Sequence, residues 1–311
     1  MQSSLTIMPL SPAIGIEVAD IDLAAPIDDE TMAALRSAWE EHCVALFRGQ
    51  SLDEDEEVRF AERFGPLARL VSKSDDSQRG QNPAVLYVSN IRKDGKLTGV
   101  LPDGEMFFHS DQCYAERPAM ATVLYAMEIP SQGGNTLFAN GYRAYETLPA
   151  DLKERLSGKL ALNGYDPDDY NEGSSTRRPE LLSPKAKTYC HPIFRTHPGT
   201  GRKALFVNRL MTLSIVGLPR AESDAILAFL FEHQERRDFV YEHVWTPGDL
   251  LIWDNRSSLH ARTDFSASER RRLRRVTVLG DKPYEGAVAR GGGPNWRALT
   301  SEAQRTYAGG E

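Results

Sequence analysis

The chain has 311 residues, 41% of them hydrophobic, with a mean hydropathy of -0.44 and a formal net charge of -7 at pH 7. This length allows one sizeable core, the mixed charge argues against a nucleic-acid-binding surface, and no apolar run approaches the roughly 18 residues of a membrane span. Because Cys43, Cys113 and Cys190 fit neither a disulfide framework nor a zinc motif, we expect reduced thiols in a cytoplasmic protein. We expect one domain over residues 1–311.

Short strands and two helices are predicted in the first third of the chain. Extended pieces at 5–8 and 14–18 precede a helix that Asp28 or Asp29 caps, and a buried strand follows at 44–47. A second helix over 56–64 begins after Ser51 or Asp53 and ends at Gly65-Pro66. Residues 84–91 are predicted to form a strand, and the polar, glycine-rich residues 92–105 a loop.

The remainder of the chain is predicted to be mainly β-structure. Helices are expected over 141–160, in two pieces, and over 221–234. Strands are predicted at 120–129, 137–139, 188–195, 203–207, 239–245, 249–253 and 273–279. The many short strands favour a mainly β fold with flanking helices, an antiparallel double-sheet jelly roll that can hold a metal between its sheets.

Residues 165–186 lack any hydrophobic periodicity and are rich in polar residues and proline. A loop of this length inside a compact domain is usually functional or disordered. We expect a flap near the active site, and a solvated insertion is the alternative.

The sequence Phe-Phe-His-Ser-Asp-Gln at 107–112 is the most informative segment for function. On an extended segment, His109 and Asp111 point to the same side because strand side chains alternate. Such a pair supplies two of the three ligands in the 2-His-1-carboxylate triad of non-haem Fe(II). The pattern is common by chance, but His260 in a distant segment offers the third ligand. Of the other histidines, His42 is interpreted as a partly buried structural residue, and His233 and His243 as structural or surface residues. His191 and His197 each precede a proline, which indicates turns and strand ends.

An arginine-rich segment follows His260, and Arg271 and Arg275 lie on the same face of its predicted strand. If that face points into the barrel, an anion must meet these buried cations. A dicarboxylate cosubstrate supplies the anion, and a guanidinium can clamp its carboxylate with two hydrogen bonds. A solvated basic edge strand is the alternative. Together, the triad and the arginines predict an Fe(II)- and 2-oxoglutarate-dependent dioxygenase.

On the basis of these residues, the chain resembles the TauD/TfdA family, the taurine and aryloxyalkanoate 2-oxoglutarate dioxygenases. The matching segments follow the family's order over nearly the whole chain: 109–111 (His-Ser-Asp), 133–136 (Gly-Gly-Asn-Thr), 191–198, 205–208, 253–256 (Trp-Asp-Asn-Arg), His260 and 271–281. The resemblance implies a double-stranded β-helix core with His109, Asp111 and His260 as iron ligands. It also implies that Thr136 and Arg271 bind the distal carboxylate of 2-oxoglutarate. Arg275 would meet the substrate's acid group or the other end of the cosubstrate.

The resemblance further implies Fe(2+), 2-oxoglutarate and O2 as cofactors, release of succinate and CO2, and a dimer or tetramer acting on a small, anionic organic substrate. An aspartate at position 111 favours hydroxylation, because related halogenases leave that ligand position to chloride. If the hydroxylated carbon carries a heteroatom, bond cleavage follows. Taurine is not expected as the substrate, because no histidine lies between Leu67 and Phe108 and Glu105 would repel a sulfonate.

Two other functions remain possible at this stage. One is a non-oxidative metal-binding sensor or binding protein on the same barrel, which an altered triad would favour. The other is a zinc hydrolase, which lacks a general base beside these ligands. The sequence does not identify the primary substrate.

Overall fold

The computed structural model describes residues 5–69, 80–94, 96–97, 99, 105–167 and 182–286. In this part of the chain the strands are β1 Thr6–Pro9, β2 Ile16–Ala19, β3 Val44–Phe47, β4 Val85–Ser89, β5 Arg92–Lys93, β6 Lys96–Leu97, β7 Met106–His109, β8 Ala119–Glu128, β9 Thr136–Asn140, β10 Leu160–Tyr165, β11 Lys187–Pro192, β12 Phe194–Thr196, β13 Lys203–Leu205, β14 Thr212–Ile215, β15 Val240–His243, β16 Leu250–Asp254, β17 Ser258–Arg262 and β18 Arg272–Leu279. The helices are α1 Asp29–His42, α2 Glu54–Glu62, α3 Gly141–Glu146, α4 Ala150–Leu156 and α5 Arg220–Gln234. None of the described helices combines the length and the apolar character that crossing a membrane requires.

Two sheets form the barrel. The larger has the strand order β1-β2-β3-β16-β8-β18-β4, and the smaller has the order β15-β9-β17-β7. Their neighbouring strands are antiparallel except for the parallel pair β2 and β3. Side chains from both sheets meet in one core, where Phe138 of β9 packs on Trp253 of β16 with ring centroids 5.5 Å apart. This is the predicted jelly-roll architecture.

Helices cover the outer face of the larger sheet. The apolar side of α1, with Leu35 and Trp39 fully buried, packs with Phe60 of α2 against strands β3, β8, β16 and β18. A separate apolar cluster joins α3, α4 and α5 to the segment around Phe194. The inner face of the larger sheet is therefore left for the barrel interior.

Local capping explains where the first two helices begin. The Asp28 side chain accepts a hydrogen bond from the Thr31 backbone N–H, and Asp53 forms a reciprocal capping box with Glu56. Helix α2 begins at Glu54, two residues before the predicted start, because a cap at Asp53 makes the next residue the first of the helix.

Several elements differ from the predictions. Strands β10 and β14 were not predicted, and they pair with each other in a sheet that also contains β11. Strand β7 ends at His109, so Asp111 lies in the following turn and not on the extended segment. Of the predicted flap at 165–186, residues 168–181 lie outside the described residues. The flap and the single-domain organisation stay predictions.

Candidate active site

Two neighbouring strands of the smaller sheet and one turn bring the predicted triad together. His260 of β17 lies directly opposite His109 of β7, and their ring centroids are 4.1 Å apart. The turn after β7 contains Gln112 with a left-handed φ of 58° and directs Asp111 toward both rings. The Nε2 atoms of His109 and His260 lie 4.0 and 3.8 Å from the Asp111 carboxylate oxygens. All three ligand atoms fall within 4.8 Å of one another, so the three side chains can share one ion.

The protonation states of these residues suit a cation. Burial lowers the pKa of His109, and burial together with the neighbouring His109 lowers the pKa of His260 well below its usual range. Burial alone would raise the pKa of Asp111, but Arg275 and the two histidines outweigh it and hold this pKa below its usual value. Nδ1 of His109 lies 2.9 Å from the Phe107 carbonyl oxygen, which fixes the proton on Nδ1 and leaves Nε2 with its lone pair. Two neutral imidazoles and one ionised carboxylate fit Fe(II).

Residues that the sequence analysis did not select hold Asp111 in place. The Thr122 hydroxyl donates to Asp111 Oδ2 at 2.6 Å, and the Asp111 backbone N–H donates to Asn255 Oδ1 at 3.2 Å. The Asn255 amide in turn donates to the Thr122 hydroxyl, at 3.2 Å. Asn255 belongs to the Trp-Asp-Asn-Arg segment that carried the family resemblance, whereas nothing in the sequence distinguishes Thr122.

A cavity of about 310 Å³ opens beside the triad. Its apolar lining includes Leu86, Val88, Leu124 and Met211. Tyr114 and Tyr165 also line it and stack on each other, with ring centroids 4.9 Å apart. The charged side chains in its described lining, besides the histidines, are Asp111, Arg262, Arg271 and Arg275.

Thr136 and Arg271 lie in this cavity, as the resemblance implied. Arg271 is 2% exposed, and in the described residues its guanidinium has one hydrogen bond, from Nε to the Gly134 carbonyl oxygen at 3.2 Å. Thr136 Oγ1 accepts a hydrogen bond from the Trp245 indole at 3.0 Å, so its own hydroxyl proton can be donated to a ligand. A cationic fork and a hydroxyl donor are therefore available for a carboxylate.

Arg275 lies closer to the triad. Its Nη2 is 2.9 Å from Asp111 Oδ1, and its side chain is 23% exposed. Strand β18 pairs with β8 on one side and β4 on the other, so the alternative of a solvated edge strand is wrong. The opposite face of β18 also carries a buried cation that the sequence analysis missed, Arg274, whose Nε lies 2.8 Å from Glu57 Oε2 of α2.

Two further expectations concern residues near the metal strand. Cys113 is buried against Met211 and Asn208, and burial raises its pKa to about 12, so it is a neutral thiol. Glu105 is exposed and is not among the described residues that line the cavity, so its carboxylate does not support the argument against taurine. That prediction now depends on the missing histidine alone.

Of the five histidines outside the triad, four are buried: His191, His197, His233 and His243. Each of the four has a hydrogen-bonding partner outside the triad. His42 is exposed. None of the five belongs to the three-residue metal-ligand group found in the described chain.

Comparison with known proteins agrees with this site. The model of the family described as taurine catabolism dioxygenase TauD, TfdA family, matches residues 6–277. The chain is 34% identical to an alpha-ketoglutarate-dependent 2,4-dichlorophenoxyacetate dioxygenase of Cupriavidus pinatubonensis, over 89% of this chain and 99% of that protein. It is 33% identical to a pentalenolactone F synthase of Streptomyces avermitilis, over 88% of this chain and 93% of that protein. A crystal structure of a taurine dioxygenase from Burkholderia xenovorans superposes with a TM-score of 0.74 at 31% identity, covering 94% of this chain and 96% of that one.

The jelly-roll fold, the clustered triad and these matches define the class of protein as a 2-oxoglutarate-dependent dioxygenase with Fe(II) and O2 as its other cofactors. The chain belongs to the TauD/TfdA family. Its similarity to relatives named for three different compounds is nearly equal, so overall identity does not indicate one substrate.

Proposed function

We propose that this enzyme holds Fe(II) with His109, Asp111 and His260 and hydroxylates a small organic anion, with cleavage of a carbon–heteroatom bond where the hydroxylated carbon carries a heteroatom. When bound, the iron with 2-oxoglutarate and O2 supplies the oxidising chemistry and releases succinate and CO2. The observation that carries the proposal is the meeting of the three ligands in a cavity that also contains the buried Arg271 guanidinium.

The distal carboxylate of 2-oxoglutarate binds to Arg271 and Thr136. Arg271 is buried, and no described carboxylate pairs with it, so a bound carboxylate would offset the cost of burying its charge. The hydroxyl of Thr136 adds a donor because its oxygen already accepts from Trp245. The role of both side chains is to bind and orient the cosubstrate.

The balance of charge in the cavity supports an anionic substrate. Among the described residues, Arg271, Arg275 and the Asp111 carboxylate line it, and a divalent metal ion adds two positive charges. With the two negative charges of 2-oxoglutarate bound, these groups retain one positive charge, which favours an acid group on the second molecule. Arg275 is the candidate to bind either that group or the metal-side carboxylate of the cosubstrate, while the apolar wall with Leu86, Val88 and Met211 accommodates the substrate's body.

The test follows succinate formation from 2-oxoglutarate over a panel of small organic acids and matched neutral amides. We expect turnover that requires Fe(II) and O2, that acids stimulate more than amides, and that Asp111→Ala abolishes. Arg275→Gln is expected to reduce the preference for acids by about 10-fold or more, the value of a charged hydrogen bond.

Asp238→Ala provides the control, since Asp238 is an exposed partner of Arg236. Turnover that survives in Asp111→Ala would overturn the ligand assignment. Equal stimulation by acids and amides would contradict the proposal of an anionic substrate but not the proposed metal site. Metal binding without any succinate formation over the panel would favour the non-oxidative alternative.

A further inference from the structure

Trp245 is a buried residue to which neither the motifs nor the predicted roles give a function. It follows β15 by two residues, is 5% exposed, and packs in the same apolar cluster as Phe138 and Trp253. In such a cluster an indole differs from a purely apolar ring by its N–H, which needs an acceptor when it is buried. The acceptor is Thr136 Oγ1, at 3.0 Å. Trp245 therefore contacts one of the two side chains proposed to bind the distal carboxylate of 2-oxoglutarate.

The direction of this hydrogen bond is fixed by the two groups that make it. An indole N–H can only donate, whereas a hydroxyl can accept and has one proton to donate. Trp245 must therefore be the donor, and the Thr136 proton has to point away from the indole nitrogen. No second hydrogen-bond partner of the Thr136 hydroxyl occurs in the described chain, and Thr136 lines the cavity. The proton is thus available to a ligand in the cavity.

Contacts on the far side of Trp245 hold its ring. The ring of His243, which is fully buried, meets it edge to face, with centroids 4.7 Å apart and an interplanar angle of 89°. His243 Nε2 lies 3.2 Å from Asp249 Oδ2, and the same oxygen accepts from the backbone N–H of Thr246 at 2.9 Å. Because Thr246 directly follows Trp245 in the chain, the indole is held before any ligand arrives.

The strand register shows that this hydrogen bond is not needed to join the two strands. His243 of β15 lies directly opposite Thr136 of β9, at the end of a ladder of four residue pairs. The backbone hydrogen bonds of such a ladder already hold the strands together. What the Trp245 N–H adds is a fixed orientation of the Thr136 hydroxyl.

We propose that Trp245 is a positioning residue for the cosubstrate, which it serves by donating to Thr136 Oγ1 and so directing the hydroxyl proton toward the distal carboxylate. This inference rests on the proposed function, since it assumes that 2-oxoglutarate occupies the cavity. A donor that is already oriented loses less freedom when the ligand binds, and hydrogen bonds in a chain strengthen one another. Trp245 acts only through Thr136, so a 2-oxo acid without a distal carboxylate gains nothing from it.

The experiment measures binding, without turnover, by isothermal titration of the full-length Mn(II)-loaded protein. The ligands are 2-oxoglutarate and pyruvate, a 2-oxo acid that lacks the distal carboxylate. Trp245→Phe keeps an aromatic ring and removes the N–H, so we expect it to weaken 2-oxoglutarate about 3- to 10-fold and to leave pyruvate unchanged.

Trp39→Phe is the matched control. Trp39 is also a fully buried indole, but it lies in the helical cover and its N–H has no hydrogen-bond partner in the described chain. This variant should bind both 2-oxo acids as the wild type does, which shows that loss of a buried indole does not by itself weaken the cosubstrate.

A double-mutant cycle with Thr136→Val separates positioning from a structural effect. Thr136→Val keeps the shape of the side chain and removes the hydroxyl through which Trp245 acts. In this background we expect Trp245→Phe to weaken 2-oxoglutarate no further, because effects of two residues on one pathway are not additive. A loosened barrel would instead add its cost to that of Thr136→Val and would weaken pyruvate as well.

A measurement on the wild type does not depend on the folding of Trp245→Phe. The indole N–H proton of Trp245 is followed by magnetic resonance in the Zn(II)-loaded protein, and Thr136→Val identifies its signal by removing the acceptor. We expect 2-oxoglutarate to move this signal downfield, because a hydroxyl that donates to a carboxylate becomes a stronger acceptor. Pyruvate should leave the signal in place.

The possible failures are distinguishable. If Trp245→Phe binds 2-oxoglutarate as the wild type does, or if saturating 2-oxoglutarate leaves the indole signal unmoved, the inference fails. If Trp245→Phe weakens both 2-oxo acids equally, or adds its full effect to that of Thr136→Val, Trp245 serves the fold and the inference also fails. If Thr136→Val and Arg271→Gln both leave 2-oxoglutarate binding unchanged, it is the proposed position of the cosubstrate that fails.

Discussion

Asp111 shows how much of the proposed metal site depends on side chains outside the triad. Its Oδ2 accepts a hydrogen bond of 2.6 Å from Thr122, and its backbone N–H donates to Asn255, which is 144 positions away in the chain. These contacts fix the carboxylate before any ion arrives. Outer contacts of this kind orient the ligands of a metal and tune their basicity.

Thr122→Val tests this contribution at the scale of one residue. The substitution keeps the shape of the side chain and removes the hydroxyl that donates to Asp111, so the carboxylate loses one fixed orientation. We expect Mn(II) affinity to fall about 10- to 100-fold, as for other outer-shell changes. The measurement is a Mn(II) titration followed by electron paramagnetic resonance.

Thr277→Val serves as the comparison, because Thr277 also lies on a strand of the larger sheet and bonds to Arg275, with no hydrogen bond to Asp111. Its Mn(II) affinity should change less than that of Thr122→Val. Equal affinities for Thr122→Val and the wild type would mean that Asp111 keeps its orientation without this hydrogen bond.

At the scale of elements, the Gly-Gly-Asn-Thr turn before β9 connects the two sheets beside the proposed cosubstrate site. Gly134 has a φ of 67°, and a Cβ placed on it would lie 3.2 Å from Arg271 Nε. Its carbonyl oxygen accepts the Arg271 Nε–H hydrogen bond at 3.2 Å. Glycine is thus required twice, for the left-handed backbone and for the close approach of Arg271.

Gly134→Ala should therefore lose both stability and cosubstrate binding. The left-handed backbone costs a non-glycine residue about 1–2 kcal/mol, and the displaced guanidinium should weaken 2-oxoglutarate by about 10-fold. The checks are the free energy of unfolding in urea and the titration of 2-oxoglutarate into the Mn(II) protein.

Gly158→Ala separates the two effects. Gly158 has a φ of 72°, and no atom lies within 4 Å of a Cβ placed there, so this variant has the backbone cost alone. We expect similar losses of stability in the two variants and a loss of 2-oxoglutarate affinity only in Gly134→Ala. Matching 2-oxoglutarate affinities would contradict the role assigned to the turn.

At the scale of the whole molecule, a buried contact between a carboxyl group and a guanidinium joins the barrel to its helical cover. Glu57 of α2 is completely buried and lies 2.8 Å from Arg274 of β18, the strand whose other face points toward the cavity. Burial raises the pKa of Glu57 from 4.5 to about 8, although Arg274 acts in the opposite direction. The carboxyl therefore binds its proton more tightly in the folded than in the unfolded chain.

This shift predicts how stability depends on pH. Between about pH 5 and pH 8 the folded chain holds more protons at Glu57 than the unfolded chain does, so the free energy of unfolding falls as pH rises, by about 1 kcal/mol per pH unit. Glu57→Gln cannot ionise and should flatten this part of the pH dependence. The free energy of unfolding is measured in urea at pH 5, 6, 7 and 8 for the wild type and for Glu57→Gln. If the two proteins show the same pH dependence of this free energy, Glu57 does not titrate in this range.

The sequence determined the elements and ligand types that depend on local chemistry. Asp28 and Asp53 cap their helices through hydrogen bonds within three residues, and His109, Asp111 and His260 were recognisable because few side chain types can hold Fe(II). Strand periodicity alone puts Arg271 and Arg275 on the same face of the last strand, and both line the cavity, whereas the sequence left open whether that face points into the barrel.

Only the tertiary structure decided which distant residues serve the same site. Thr122 meets Asp111, Trp245 meets Thr136, and Arg274 meets Glu57 because strand register and helix packing place them there. Strand β10 was missed since its pairing with β11 and β14 overrides the weak strand preference of its Asn163-Gly164 dipeptide. Such contacts join segments far apart in the chain, and local sequence patterns contain no information about them.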